Sequence, residues 1–389
     1  MEKEQQPADE LGGEGDRHPG SVVAHCGPSV GVDERDSKEK IARAAGLARR
    51  HAKPKIVPTG MLPMDSTVRS TPTEPFLPAL GLASPHAQTC FAGLFRSRRA
   101  PPVRRERWDT QDGDFIDVDI LPAAPEAPHL FVLHGLEGSA EASYVAEVLR
   151  LSQRIGWGAF ALNFRSCSGE PNRLPRFYHS GETGDALHAI ERVRERVRGP
   201  LFGVGFSLGG NVLLLLLART GEQAPLDAAA VISVPYDLQA CARALDSSSG
   251  FGWVYRRYFL RSLKRKAMGK LQRHPGAMDA ARIRAARGIE SFDEAVTAPL
   301  HGFASAAEYY RQSSSGPQIA RIRRPTLLIS SLDDPLVPLP PPPDAMANPF
   351  VTALFTEHGG HVGFISGTIW RPRYWAERQA LHFLSRQLV

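Results

Sequence analysis

Gly205-Phe206-Ser207-Leu208-Gly209 sets a serine between two glycines, each two residues away. An apolar run, Leu201–Phe206, leads into it, and a second, Asn211–Ala218, leads out. Strand, tight turn and helix in that order lift a serine oxygen clear of the chain as a nucleophile. The glycines remove Cβ atoms that would collide in so sharp a turn. The helix N-terminus then offers free N–H groups and a favourable dipole for negative charge developing at that oxygen. A capping serine in a Gly-rich turn would use the same letters; the strand and helix around it favour the nucleophile.

Serine needs a base to take its proton, and the base needs a carboxylate to orient it. Downstream, Thr326–Pro338 reads TLLISSLDDPLVP, an apolar strand ending in two aspartates. Asp334 is the expected acid and Asp333 the alternative; the pair could also be turn formers at a strand end. Further on, Glu357–Phe364 reads EHGGHVGF. His361, flanked by a glycine on one side in a glycine-rich loop, is the expected base, and His358, nearer the strand, is read as structural. An acyl-transfer intermediate also needs donors for its oxyanion. His134-Gly135-Leu136-Glu137-Gly138 follows the apolar run 129–133, so the backbone N–H groups of Leu136 and Leu208 are the candidate donors. His134 is read as shaping that loop. Arg165, Ser168, Glu170, Asn172, Arg173, His179 and Glu182 form a dense polar cluster after a strand, expected to lock its loop because buried polar groups need internal partners.

These residues must be positioned by regular elements. Asp114–Leu121 alternates apolar and polar residues, as a half-buried strand does, and Gly158–Phe164 is strand-like. The runs at 129–133, 201–206, 228–234 and 326–330 suit strands buried on both sides, and 351–356 adds another. Helical spacing occupies Glu141–Ile155, Gly184–Val197, Asn211–Arg219 and Trp375–Leu388. Strands alternating with helices predict an α/β fold with a mostly parallel central sheet flanked by helices. Residues about 236–318 break the rhythm, are helical in pattern, and are expected to form a cap. Residues 1–70 have the composition of a disordered tail, with one short helical stretch at Ile41–His51, leaving 71–389 as the folded domain.

The motifs together resemble the YheT-like branch of the α/β-hydrolase superfamily. The resemblance is carried by SPHAQT at 84–89, HGLEGS at 134–139, FRSCSGEPNR at 164–173, YHSGETGD at 178–185 and GFSLGGN at 205–211. FDEAVTAPLHGFASAAEYYRQSS at 292–314, LDDP at 332–335 and EHGGHVGF at 357–364 complete it, so it spans about 75–389. It implies an α/β-hydrolase fold, a Ser207–Asp334–His361 triad, and hydrolysis of carboxylic esters, often acetyl esters, without a metal or organic cofactor. Eukaryotic relatives of this branch act on phospholipids. The early motif usually reads NPHLQT, and Ser84 and Ala87 depart from it. Competing readings are a thioester, amide or phospholipid substrate, or a binding protein on the same fold without catalysis.

Bulk properties narrow the partners. The chain has 389 residues and a net charge of +6, with its basic residues scattered. Nucleic-acid binding is therefore not expected, and the denser run Lys264–Lys270 is read as a solvated helix face. Four cysteines, Cys26, Cys90, Cys167 and Cys241, show neither metal-ligand spacing nor a disulfide framework. The N-terminus lacks the pattern of a secretory signal, and Asn211–Ala218 is far too short to span a bilayer. A cytoplasmic protein acting on a small-molecule ester is the expectation. Its oligomeric state is open, and peripheral lipid contact through Tyr255–Arg273 is a minor alternative.

Overall fold

Runs of β-branched and aliphatic residues build one eight-stranded sheet in the computed structural model, which describes residues 74–247 and 251–388. In chain order the strands are β1 (Arg104–Asp109), β2 (Phe115–Leu121), β3 (His129–Leu133), β4 (Gly158–Asn163), β5 (Leu201–Phe206), β6 (Ala228–Ile232), β7 (Thr326–Ser331) and β8 (Val351–Thr356). Their spatial order is β1-β2-β4-β3-β5-β6-β7-β8. From β4 to β8 every pairing is parallel, whereas β1 and β2 join antiparallel at one edge. The tail and helix expected within residues 1–70 lie outside the described residues.

The helices are α1 (Pro85–Phe95), α2 (Ser143–Arg154), α3 (Gly184–Arg194), α4 (Leu208–Thr220), α5 (Leu238–Asp246), α6 (Phe251–Arg273), α7 (Ala306–Ser313) and α8 (Trp375–Ser385). Shorter helical turns join α6 to α7. Two apolar clusters cover the two faces of the sheet: α3 and α4 contribute to one, α2 and α8 to the other. Leu213 to Leu217 of α4 are all buried, and each stabilises the fold by roughly 1.5–3 kcal/mol. Helices α5, α6 and α7 and the short turns between them lie between β6 and β7 and build two further apolar clusters, one of which also takes in Cys90 of α1 and Leu336.

Register brings the distant motifs together. Leu133, the last residue of β3, pairs with Gly205 of β5, so the 134–138 loop emerges beside the Ser207 turn. Ser331 of β7 pairs with Thr356 of β8, so the Asp334 and His361 loops emerge side by side.

Two expectations need correction. The strand at 115–121 is buried along its whole length, not on one face. Its polar residues point into partners: Arg105 and Arg107 of β1 meet Asp119 and Asp117 at 2.6 and 2.8 Å. The Lys264–Lys270 run is not a solvated face either. Lys270 is only 2% exposed, and its ammonium donates to the carbonyls of Asn172, at 2.9 Å, and Leu174. Burial pulls its pKa down to about 8. Sequence periodicity missed β1 and a hairpin, β9 (Ile365–Thr368) with β10 (Arg371–Tyr374). Both are short, and arginine-rich segments carry little apolar alternation.

Candidate active site

Ser207 takes φ 50° and ψ −119° between β5 and α4. A non-glycine residue held there is strained, and such strain collects at functional turns. Close packing explains the neighbouring glycines. A Cβ on Gly205 would lie 2.6 Å from the Gly210 Cα, and one on Gly209 would lie 2.5 Å from the carbonyl oxygens of Leu133 and His134.

His361 Nε2 lies 3.0 Å from Ser207 Oγ. Its Nδ1 lies 2.9 Å from Asp334 Oδ2 and 3.1 Å from Oδ1. An ionised carboxylate only accepts, so Nδ1 carries the proton and the Nε2 lone pair faces the hydroxyl. Asp334 is itself fixed, since its Oδ1 accepts from the amides of Leu336 and Val337 at 2.9 and 3.1 Å. Asp333 turns the other way, to His358 at 3.2 Å and the Gly360 amide at 3.0 Å.

Support for the histidine loop comes from α1, at the far end of the chain. The His361 amide donates to Thr89 Oγ1 at 2.9 Å. Gln88, fully buried, donates to Leu82 O and Ile365 O and accepts from the Ile365 amide at 2.7 Å. The sequence reading gave Thr89 and Gln88 no role. Their only signal was membership of the 84–89 motif.

The 134–138 loop is held from several sides. His134 Nδ1 donates to Gly135 O at 2.8 Å, and Nε2 accepts from the Phe164 amide at 3.1 Å. Burial pushes its imidazole down to about 3, so it stays neutral. The Gly135 and Glu137 amides donate to the hydroxyls of Tyr144 and Tyr178 at 2.9 and 2.7 Å. Among the described residues the amides of Leu136 and Leu208 have no protein acceptor. Glu137 also accepts from Lys266 at 2.9 Å, from Tyr178 at 2.9 Å and from Ser262, which links the loop to α6.

Two hollows meet at Ser207 and His361. One, of about 120 Å³, lies under the helices between β6 and β7 and is walled by apolar residues including Phe177, Leu238, Leu263 and Phe292. The other is a groove running along α6.

The polar cluster after β4 does bond internally. Arg165, 2% exposed, meets Asp185 at 2.6 Å, Asp112 at 2.9 Å and Asp114 at 3.2 Å. Ser168 donates to Asp117 at 2.6 Å, and Asn172 to Asp114 at 3.0 Å. Glu170 pairs with Arg107 and Arg173 with Asp109, both near the surface. His179, Glu182 and His301 put ligand-type atoms within 4.8 Å of one another. The set suits a cation poorly. Arg176 already pairs with Glu182, and His179 Nδ1 accepts from the Gly181 amide at 3.1 Å, which leaves the proton on Nε2.

A family model described as the alpha/beta hydrolase fold matches residues 128–368, which include the Ser207, Asp334 and His361 positions. The chain belongs to the α/β-hydrolase family. Within this family it is 42% identical over 321 residues to YheT of Escherichia coli (strain K12), which carries the name of a candidate esterase; the match covers 80% of this chain and 94% of that one. It is 30% identical over 314 residues to phospholipase ABHD3 of Homo sapiens, covering 77% and 76%. The embryogenesis-associated protein EMB8 of Picea glauca is 28% identical over 359 residues, covering 87% and 78%. No helix among the described residues of this α/β hydrolase is long and apolar enough to cross a membrane.

Proposed function

We propose that the protein is a serine esterase that cleaves carboxylic esters of short acyl chains through an acyl-enzyme. The observation that carries this reading is the continuous relay from Ser207 Oγ through His361 to Asp334, at 3.0 and 2.9 Å. In the first half-reaction His361 Nε2 takes the Ser207 proton as the oxygen attacks the ester carbonyl. The amides of Leu136 and Leu208 receive the oxyanion, and His361 then protonates the departing alcohol. In the second half, His361 takes a proton from water as it attacks the acyl-serine, then gives that proton to Ser207 Oγ as the acid departs. Asp334 keeps the imidazole in the right tautomer and stabilises it when charged. The helices between β6 and β7 act as a cap whose apolar hollow takes the acyl group.

The test pairs a label with a substrate panel. A fluorophosphonate probe should label the full chain, and Ser207→Ala should abolish labelling while leaving the melting temperature nearly unchanged. Across p-nitrophenyl esters from C2 to C16, kcat/KM should peak at the short end. Persistent labelling of Ser207→Ala would remove the serine from the mechanism, and a peak at C16 would replace the short-chain assignment with a lipase-like one.

A further inference from the structure

The hollow under the cap helices is not apolar throughout. Ser207 and His361 open onto it, and so do Asp293, Thr297 and Tyr310. Asp293 begins a π-helical turn, Asp293–Thr297, closed by a bond from the Ala298 amide to the Asp293 carbonyl. Such turns are rare and are frequent at functional sites. Thr297 Oγ1 donates to Asp293 Oδ1 at 2.5 Å, and the Tyr310 hydroxyl, on α7, donates to Oδ2 at 2.8 Å. Each carboxylate oxygen therefore accepts one bond from a side chain and can accept a second.

A counter-charge is missing. Burial, then the negative charges of Asp246 and Glu290, push the Asp293 carboxyl up to about 6 against the bonds from Thr297 and Tyr310. It is still ionised at neutral pH. Among the described residues no lysine, arginine or histidine pairs with it. Lys266 also lines the hollow, but Glu137 holds it at 2.9 Å. Burial holds the imidazole of His179, another lining residue, well below its usual value, so it stays neutral. Buried charges are ordinarily paired. A tie between α7 and the turn needs only a neutral acceptor, and does not account for a charge left facing a cavity.

Aromatic rings complete the setting. Tyr309 and Tyr310, with ring centroids 5.2 Å apart, line the hollow together with Phe292, which precedes Asp293 in the chain. Aromatic faces attract cations, so rings beside a carboxylate suit an ammonium group.

We infer that Asp293 selects the acyl group: the preferred ester carries a protonated amine on its acyl chain, seated against this carboxylate while Ser207 attacks the carbonyl. This rests on the esterase reading of the same hollow. The ammonium donates to the remaining lone pairs of Oδ1 and Oδ2, and the methylenes before it lie along the apolar walls. The hollow, of about 120 Å³, holds the volume of roughly four waters at about 30 Å³ each. A guest that touches both Ser207 and Asp293 within it is a short chain.

The experiment compares isosteric methyl esters on the full chain at neutral pH: 3-aminopropionyl with butyryl, and 6-aminohexanoyl with heptanoyl. In at least one pair the amine should raise kcat/KM about tenfold over its methyl-ended partner, the scale of one hydrogen bond to a charged group. Asp293→Asn should erase that ratio. Tyr310→Phe cuts the same tie but keeps the carboxylate, so it should retain the preference. If the carboxylate only ties α7 to the turn, both variants lose stability alike, the ratio moves in neither, and the assignment falls. A 3-hydroxypropionyl ester preferred over the 3-aminopropionyl one also overturns it, in favour of a neutral donor. Wild-type ratios at or below one for both lengths overturn the ammonium seat and, with the methyl-ended esters cleaved, leave the esterase standing. Should Asp293→Asn not fold, these wild-type ratios decide. Calorimetry with butylammonium separates the two readings: binding that Asp293→Asn removes, with no ester cleaved, keeps the seat and overturns the esterase.

Discussion

Asp334 does two jobs with two oxygens. Oδ1 accepts two backbone amides while Oδ2 faces His361 Nδ1. Asp334→Asn can keep the amide bonds through its carbonyl oxygen, but its NH2 then faces Nδ1. The imidazole is driven to carry its proton on Nε2, where it can no longer accept from Ser207. We expect kcat to fall by about 10³–10⁴ with little change in thermal stability, as for a triad held in the wrong tautomer. Steady-state kinetics beside a thermal melt will show it; a loss of activity that tracks unfolding would point to a purely structural carboxylate. Residue-level legibility was uneven for physical reasons. Ser207 could be read because strand, turn and helix are local. Asp334 could be preferred over Asp333 only modestly, since neighbours in a turn project in different directions and the register of β7 against β8 sets which one lies beside the His361 loop. Gln88 and Thr89 were silent because they serve a loop 272 residues away from Thr89.

At the scale of elements, the β5–α4 junction tolerates no added bulk. Gly209 faces the carbonyls of Leu133 and His134, which are backbone and cannot turn aside. Gly209→Ala should push α4 from the end of β3, moving Ser207 and the 134–138 loop apart. A destabilisation of about 1–3 kcal/mol is expected for such overpacking, with a larger loss in kcat than in substrate affinity. Urea unfolding and kcat on a p-nitrophenyl ester test it, and an alanine variant with wild-type kcat would mean the junction has slack that the geometry does not show. The parallel core strands were legible because burial on both faces writes continuous apolar runs. By contrast β2 misled, since Asp117 and Asp119 look solvent-facing until β1 covers them with Arg107 and Arg105. The lysines of α6 misled in the same way: a charged residue on a helix next to a polar loop can donate inward to its carbonyls.

For the molecule as a whole, Arg165 ties together segments distant in sequence. Its guanidinium reaches Asp112 and Asp114 before β2 and Asp185 at the start of α3. Burial pushes the Asp114 carboxyl up, but bonds from Asn172 and the amides of Arg173, Leu174 and Phe115 outweigh it and hold it below the usual value. A carboxyl depressed in the fold contributes stability that is present above its unfolded pKa and lost as pH falls through the folded one. Stability should therefore decline on acidification below about pH 4. Arg165→Met should cost about 3–5 kcal/mol at neutral pH, because it leaves buried carboxylates without their counter-ion. Chemical denaturation at pH 7 and at about pH 2–3 measures both effects; a variant as stable as wild type at pH 7 would show that water or Arg176 replaces the guanidinium.

Glu137 makes the roof and the reaction chamber one mechanism. Its carboxylate is gripped by Ser262 and Lys266 of α6, while its own peptide adjoins Leu136. Any swing of α6 that opens a path to solvent must tug on that peptide or break the grip. Opening would thus displace the Leu136 amide that we propose receives the oxyanion, and only the seated helix would restore it.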